Sequence, residues 1–379
     1  MVFRVAILHT LDLHYETLTV FLMCLHHTIP TAQLAKVEWV LYCNMIGPEF
    51  HWWSDWWRGE MCKLAAINIQ PFDRFLQVSG FENEFDMIVL DTDDEPIGQM
   101  IDPSRCWVLN HTPTMRCPLA PYQFDIRHFG EMLTPRTQNP VAIPCFPFVD
   151  ALPQIPRPPI RANTLVVIGA GDAMDWPVVR LLGTHVDINI ITRRQTVGQI
   201  PDDVRALPRV RIVQDAPTQA MIQILCSARA LLIPKKGAYV HSRFPGSLTL
   251  ALSLGVPIIM PYLMAYQILR HELLTLSQGR AIFTYDLTPE AIAALPFVDD
   301  ATSPDDQPTE RTVAQTLSML PCGRNAFGAY RLIEHHPPED LRQATDEVCR
   351  TIFQSSLFPG FATVLMERLA QSPHLTHEG

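Results

Sequence analysis

Residues 239–261 read YVHSRFPGSLTLALSLGVPIIMP, and this stretch decides the reading of the chain. Gly246 and Ser247 open a short apolar run, Gly255 closes it, and Pro257 starts a second run, PIIM. Glycine just past the last apolar residue and proline shortly after it are helix-stop signals. Four apolar residues bounded by proline have the length of a buried strand. The pattern predicts a helix over 246–254 feeding a strand over 257–260, which is half of a strand–helix–strand unit. The first N–H groups of such a helix, together with its dipole, make an anion site. Small residues there let an anion approach, and His241 and Arg243 stand just upstream. A plain buried helix that happens to start on small residues fits the same letters.

The same rhythm extends in both directions. Strand-like runs fall at 164–168 (TLVVI), 187–191 (DINII), 210–213 (VRIV), 230–233 (ALLI) and 281–285 (AIFTY), with helical segments at 176–182, 218–226 and 264–275. The first part of the chain shows runs at 3–8 (FRVAIL), 37–43 (VEWVLYC), 87–90 (MIVL), 107–110 (WVLN) and 141–143, with helical segments at 16–26 and 54–65. Apolar runs that are nearly continuous, rather than alternating, suit parallel strands buried on both faces. The expected class is therefore α/β, with two doubly wound halves. A proline-laden connector, DALPQIPRPPIRAN at 150–163, separates them. The expected division is 1–155, 156–335, and a tail of 336–379 with helices over 339–353 and 361–370. An acidic loop is expected at 299–310.

Composition sets outer bounds. A chain of 379 residues with 47% apolar and 18% charged residues is globular and long enough for two cores. Its formal net charge of −10 argues against a broad nucleic-acid surface, which needs clustered cations. No run approaches the ~20 apolar residues of a membrane-spanning helix. The start, MVFRVAILHT, passes straight into a strand-like run without a leader pattern. The nine cysteines show no CxxC spacing and read as reduced thiols, which points to the cytoplasm.

Ligands of open parallel sheets bind beyond the carboxyl ends of strands, so the residues after each strand matter most. Gly169-Ala170-Gly171 follows 164–168, but Met174 stands where a dinucleotide fingerprint needs a third glycine. The acidic residue expected at the end of the next strand is replaced by Arg193-Arg194. A dehydrogenase is thereby disfavoured. Arg193 and Arg194 end one strand, and Lys235 and Lys236 follow another. Together they suit a diphosphate held by charge-assisted hydrogen bonds, although ordinary solvated charge accounts for them equally.

With these residues in view, 164–261 resembles the C-terminal lobe of GT-B glycosyltransferases. The correspondence is carried by GAGDA at 169–173, VQDAPTQ at 213–219, PKKG at 234–237 and GSLTLALSLGVPII at 246–259. Residues 85–94, 106–113 and 143–150 resemble parts of the same fold's N-terminal lobe and its linker. The resemblance implies two Rossmann-like lobes across a cleft, and transfer of a sugar from a nucleotide diphosphate to an acceptor hydroxyl. It implies donor contacts at Gly169, Gly171, Arg193, Arg194, Asp215, Lys235, Lys236, His241, Arg243, Gly246 and Ser247. A catalytic base from the first lobe would be His14, Asp12 or His111. No metal or other cofactor is required by this reading, and the acceptor is undefined. The chain departs from the retaining members in one respect: Ser242 and Leu250 stand where they often carry a Glu pair. A non-catalytic binding or assembly protein and a nucleotide-sugar epimerase are the alternatives. Asp91 and Asp93 form a DxD that resembles the metal motif of GT-A enzymes, but it lies far in sequence from the phosphate-like features. The tryptophans at 52, 53, 56 and 57 read as a helix stripe, packed on the sheet or stacked on a sugar.

Overall fold

In a computed structural model, the structure describes residues 2–9, 29–43, 67–71, 84–91, 106–110, 122–125, 157–171, 173–237, 245–268, 277–285, 325–355 and 359–371, with 74 and 240. The chain divides into two compact units; residues 359–371 group with the first, and the second runs on to Ile352.

The first unit is built on β1 (Phe3–His9), a single helical turn α1 (Thr31–Leu34), β2 (Val37–Cys43), β3 (Ile67–Pro71), β4 (Met87–Asp91), β5 (Cys106–Asn110) and β6 (Tyr122–Asp125). All neighbours pair in parallel, in the order β3-β2-β1-β4-β5-β6. Val5, Ala6, Ile7 and Leu8 of β1 have no solvent exposure, and Ile88 and Val89 of β4 have none either. These are the continuous apolar runs that parallel pairing demands. Arg4 sits at the start of β1, where its side chain bonds Glu38 at 3.0 Å and lies 4.8 Å over the Phe85 ring.

The second unit repeats the wiring. Its elements are β7 (Arg161–Ile168), α2 (Trp176–Gly183), β8 (Asp187–Thr192), a 3-10 helix (Arg194–Gln199), α3 (Asp202–Arg205), β9 (Val210–Gln214), α4 (Thr218–Ser227), β10 (Ala228–Leu232), α5 (Gly246–Ser253), β11 (Ile258–Pro261), α6 (Tyr262–Ile268), β12 (Ile282–Tyr285), α7 (Ala326–Glu334) and α8 (Pro338–Ser355). α9 (Pro359–Gln371) follows. The sheet runs β12-β11-β10-β7-β8-β9, again parallel throughout. Each unit thus has the doubly wound Rossmann order, with strand order reversing at one switch point: between β1 and β4 in the first, between β7 and β10 in the second.

The core of the second unit joins Leu165 and Val167 of β7 to Val179 and Leu182 of α2, Phe283 and Tyr285 of β12, and Tyr330 and Ile333 of α7. The β7–β10 pairing slips between Ala228 and Ala230. A bulge of this kind re-aims one side chain, and here that residue is Arg229. It is buried, and it donates to the backbone carbonyls of Ile333, at 2.6 Å, and His336 at the end of α7. One guanidinium thereby satisfies carbonyls that a helix terminus leaves without intrahelical partners.

The expected strands at 3–8, 37–43, 87–90 and 107–110 are β1, β2, β4 and β5, within a residue or so at their ends. β3, β6, α1, α3, α7 and the 3-10 helix were not anticipated. The expected strand at 141–143, the helices at 16–26 and 54–65 with their tryptophans, and the acidic loop lie outside the described residues.

Candidate functional site

The site is assembled where the second sheet reverses direction. β7 hands over to Gly169, whose φ of +86° is natural only for glycine. A Cβ on Gly169 would meet nothing within 4 Å, so backbone conformation rather than crowding calls for glycine here. Gly169 N–H donates to Ile191 O at 2.8 Å, which ties the loop to the end of β8. On the other side of the switch point, β10 ends in Leu232 and leads through buried Ile233 to Pro234 and Lys235.

The loops after β7 and β10 are stitched together. Asp175 N–H donates to Pro234 O at 2.7 Å, and Lys236 N–H donates to Ala173 O at 2.9 Å. Met174 and Lys235 form an antiparallel bridge between them. Gly169, Gly171, Lys235 and Lys236 are therefore neighbours across one small patch of backbone. Lys235 Nζ lies 3.1 Å from Met174 Sδ. Met174 is fully buried, and burial pulls the Lys235 amine down from its ordinary 10.5 to about 8. Lys236 beside it is half-buried.

Deeper in, Asp175 is almost completely buried at the start of α2, ahead of Trp176-Pro177. Tyr285, at the end of β12, has a buried hydroxyl whose pKa is pushed up by burial first and by Asp175 second. A carboxylate and a phenol thus sit beneath the stitched loops.

On the outer side, β8 ends at Thr192 and the chain turns at Arg193 into the 3-10 helix. Gln199, the last residue of that helix, comes within 3.4 Å of where a Cβ on Gly171 would stand. The 3-10 helix therefore runs from the end of β8 back to the glycine loop. Asp215, just past β9, accepts from Arg194 N–H at 2.9 Å, and its other oxygen lies 3.7 Å from Arg194 Nε. Arg193 is exposed.

In open parallel sheets, ligands generally bind at switch points of this kind. Comparison with known proteins gives the fold a name. No protein-family model matches the sequence, and no curated protein sequence does either. Among solved structures, the glycosyltransferase AviGT4, involved in avilamycin A biosynthesis, aligns with a TM-score of 0.54 at 12% identity, over 98% of this chain and 99% of its own. The fold is GT-B. HepE of Anabaena, solved with UDP and glucose, gives 0.49 at 10% identity over 96% and 100%. UGT89C1 of Arabidopsis thaliana, solved with UDP, gives 0.45 at 12% over 97% and 98%.

Within the GT-B chain, then, the structure brings Gly169, Gly171, Lys235 and Lys236 together, with Arg193 and the Arg194–Asp215 pair beside them. Gly246 and Ser247 open α5 after Pro245, with no side chain capping the helix. α5 itself is apolar and largely buried, with Leu248, Ala251, Leu252 and Ser253 fully so. Leu250, at the place of the absent Glu, is half-buried in this helix. His14, Asp12, His111, His241, Arg243 and Asp93 lie outside the described residues; Asp91 is the last residue of β4. Among the described residues no three His, Cys, Asp or Glu converge as a metal set, and no helix is long and apolar enough to cross a membrane. Cys43, Cys226 and Cys349 are buried and belong to no disulfide. Sequence reasoning missed Asp175, although Asp before Trp-Pro is a helix-start signature. Gln199 and Tyr285 carried no such signal.

Proposed function

We propose that this chain is a glycosyltransferase that takes a sugar from a nucleotide diphosphate donor and gives it to an acceptor hydroxyl, without a metal ion. The observation that carries the reading is the second switch point, where a left-handed glycine turn and two adjacent lysines meet over stitched loops, with exposed Arg193 on the neighbouring turn. Diphosphate is the leaving group in such a transfer, and its developing charge is what preorganised cations stabilise. Lys235 and Lys236 stand in the role that a divalent ion plays elsewhere. The shared fold with AviGT4, itself a glycosyltransferase, supports the class of chemistry but not the donor or the acceptor. The general base would come from the first unit, with His14, Asp12 and His111 as candidates. Leu250 at the place of a donor-holding Glu favours a second reading, a GT-B binding or assembly protein without turnover.

A thermal-shift panel of UDP, GDP, CDP, ADP and dTDP, each with and without Mn²⁺, tests this directly. A ligand that binds the folded state raises Tm by mass action. One diphosphate raising Tm selectively, without Mn²⁺, is the expected result. No shift with any of them at well above ~1 mM sinks the donor site and favours the binding or assembly reading.

A further inference from the structure

The two arginines that end β8 are adjacent in sequence but not equivalent in structure. Arg194 is engaged twice by Asp215, through its backbone N–H at 2.9 Å and its guanidinium at 3.7 Å. Arg193 is exposed, and its side chain has no ion-pair or hydrogen-bond partner among the described residues. What separates them is Asp215. Its φ is +46°, and it is the one non-glycine residue with positive φ among those described. A non-glycine residue in that region is strained, and such strain persists where surrounding bonds over-determine it. Here the bonds are Asp215 N–H to Thr192 O at 3.0 Å and the carboxylate to Arg194 N–H. The turn is closed further by the Thr192 and Thr196 hydroxyls, 2.7 Å apart, and by Thr196 N–H to Arg193 O at 3.0 Å. Asp215 therefore clamps the end of β8 to the end of β9. The clamp holds the turn beside the glycine loop, because Gly169 is bonded to Ile191 and Gln199 lies against Gly171.

We propose that Asp215 is a positioning residue, which locks the β8 turn through Arg194 so that Arg193 is the arginine that meets the donor's diphosphate. The inference rests on the donor-site reading and sharpens it. Two of the resemblance's donor contacts, Arg194 and Asp215, become each other's partners, and the anion is left to Arg193 with Lys235 and Lys236. A single arginine suits a diphosphate because its planar fork bonds two oxygens at once.

The test uses the full-length chain and inorganic pyrophosphate as probe, titrated by calorimetry, with the nucleotide panel run in parallel. Arg193→Ala should weaken pyrophosphate about ten-fold, the value of one charge-assisted contact, while Arg194→Ala stays within about two-fold. Asp215→Gly keeps the left-handed backbone and removes the carboxylate; it should weaken pyrophosphate about five-fold with Tm unchanged. Asp215→Asn, which tolerates the same φ and retains an acceptor oxygen, should restore most of the affinity. A merely structural role would move Tm in Asp215→Gly and leave the affinity alone. Equal losses in Arg193→Ala and Arg194→Ala, or full affinity in Asp215→Gly, overturn the inference. So does a wild-type chain that binds nucleotide diphosphates but not pyrophosphate, and in that case the donor site stands. A chain that binds neither loses both.

Discussion

Lys235→Met is the substitution whose outcome follows most directly from the geometry. Methionine keeps the length and apolar stem of the side chain beside Met174 and removes only the ammonium. In the folded protein the amine is held at about 8 by burial, against an ordinary 10.5. That gap, at about 1.36 kcal/mol for each pH unit, makes the charged form about 3 kcal/mol less favourable folded than unfolded. The sign follows from proton counting. Between pH 8 and 10.5 the unfolded chain binds the proton and the folded chain does not, so stability rises with pH across that window. Below pH 8 the whole penalty is present; above 10.5 it is gone. Urea unfolding of wild type and Lys235→Met at pH 7 and pH 10 measures it. The variant should be more stable by about 2–3 kcal/mol at pH 7, with the advantage shrinking to below about 1 kcal/mol by pH 10. If the proposed donor site is right, the same variant should bind nucleotide diphosphate more weakly, because it loses one of the two lysine charges assigned to the diphosphate. A variant less stable than wild type at pH 7, or an advantage that does not change with pH, would refute the picture of a desolvated ammonium.

Other substitutions probe the frame around it. Gly169→Ala should cost about 1 kcal/mol, since only its φ of +86° opposes a side chain. Gly255→Ala should cost roughly 2–4 kcal/mol, because φ is +68° and the new Cβ would stand 2.5 Å from Asp346 Oδ1; paired urea curves rank the two. Arg229→Met removes the guanidinium that the Ile333 and His336 carbonyls at the end of α7 accept from, and a loss of about 2–3 kcal/mol in denaturant unfolding is expected.

The central strands were legible because burial on both faces leaves short, nearly continuous apolar runs bounded by polar or Gly/Pro residues. VEWVLYC at 37–43 is β2 to the residue. β3 (INIQP) and β6 (YQFD) escaped because strands at the rim of a sheet need not be apolar. α7 escaped because Tyr330, Arg331 and Glu334 interrupt its apolar letters; only its buried residues Ala326, Ala329, Tyr330 and Ile333 show the helical spacing. For the site, the glycine turn and the lysine pair could be read from their position after strands. Their union could not, since the bonds between 173–175 and 234–236 are backbone to backbone and leave no trace in residue type. The Arg194–Asp215 pair was likewise invisible, because 21 positions separate its members. Residue types alone made both look like ligand contacts.

The rims of the two sheets carry a lesson about solubility. An open parallel sheet ends in strands whose outer N–H and C=O groups invite another chain to pair. β3 closes on proline after asparagine and glutamine, and β9 carries Arg211 and Gln214, so three of these letters are amides and one a cation. β12, IFTY, has no such deterrent and is buried along its whole length. α7 shares its core, with Ala329, Tyr330 and Ile333 in one cluster with Phe283 and Tyr285, and Arg229 anchors the far end of that helix. The cap on one helix end thus supports the packing on the apolar margin of the second sheet, among the described strands.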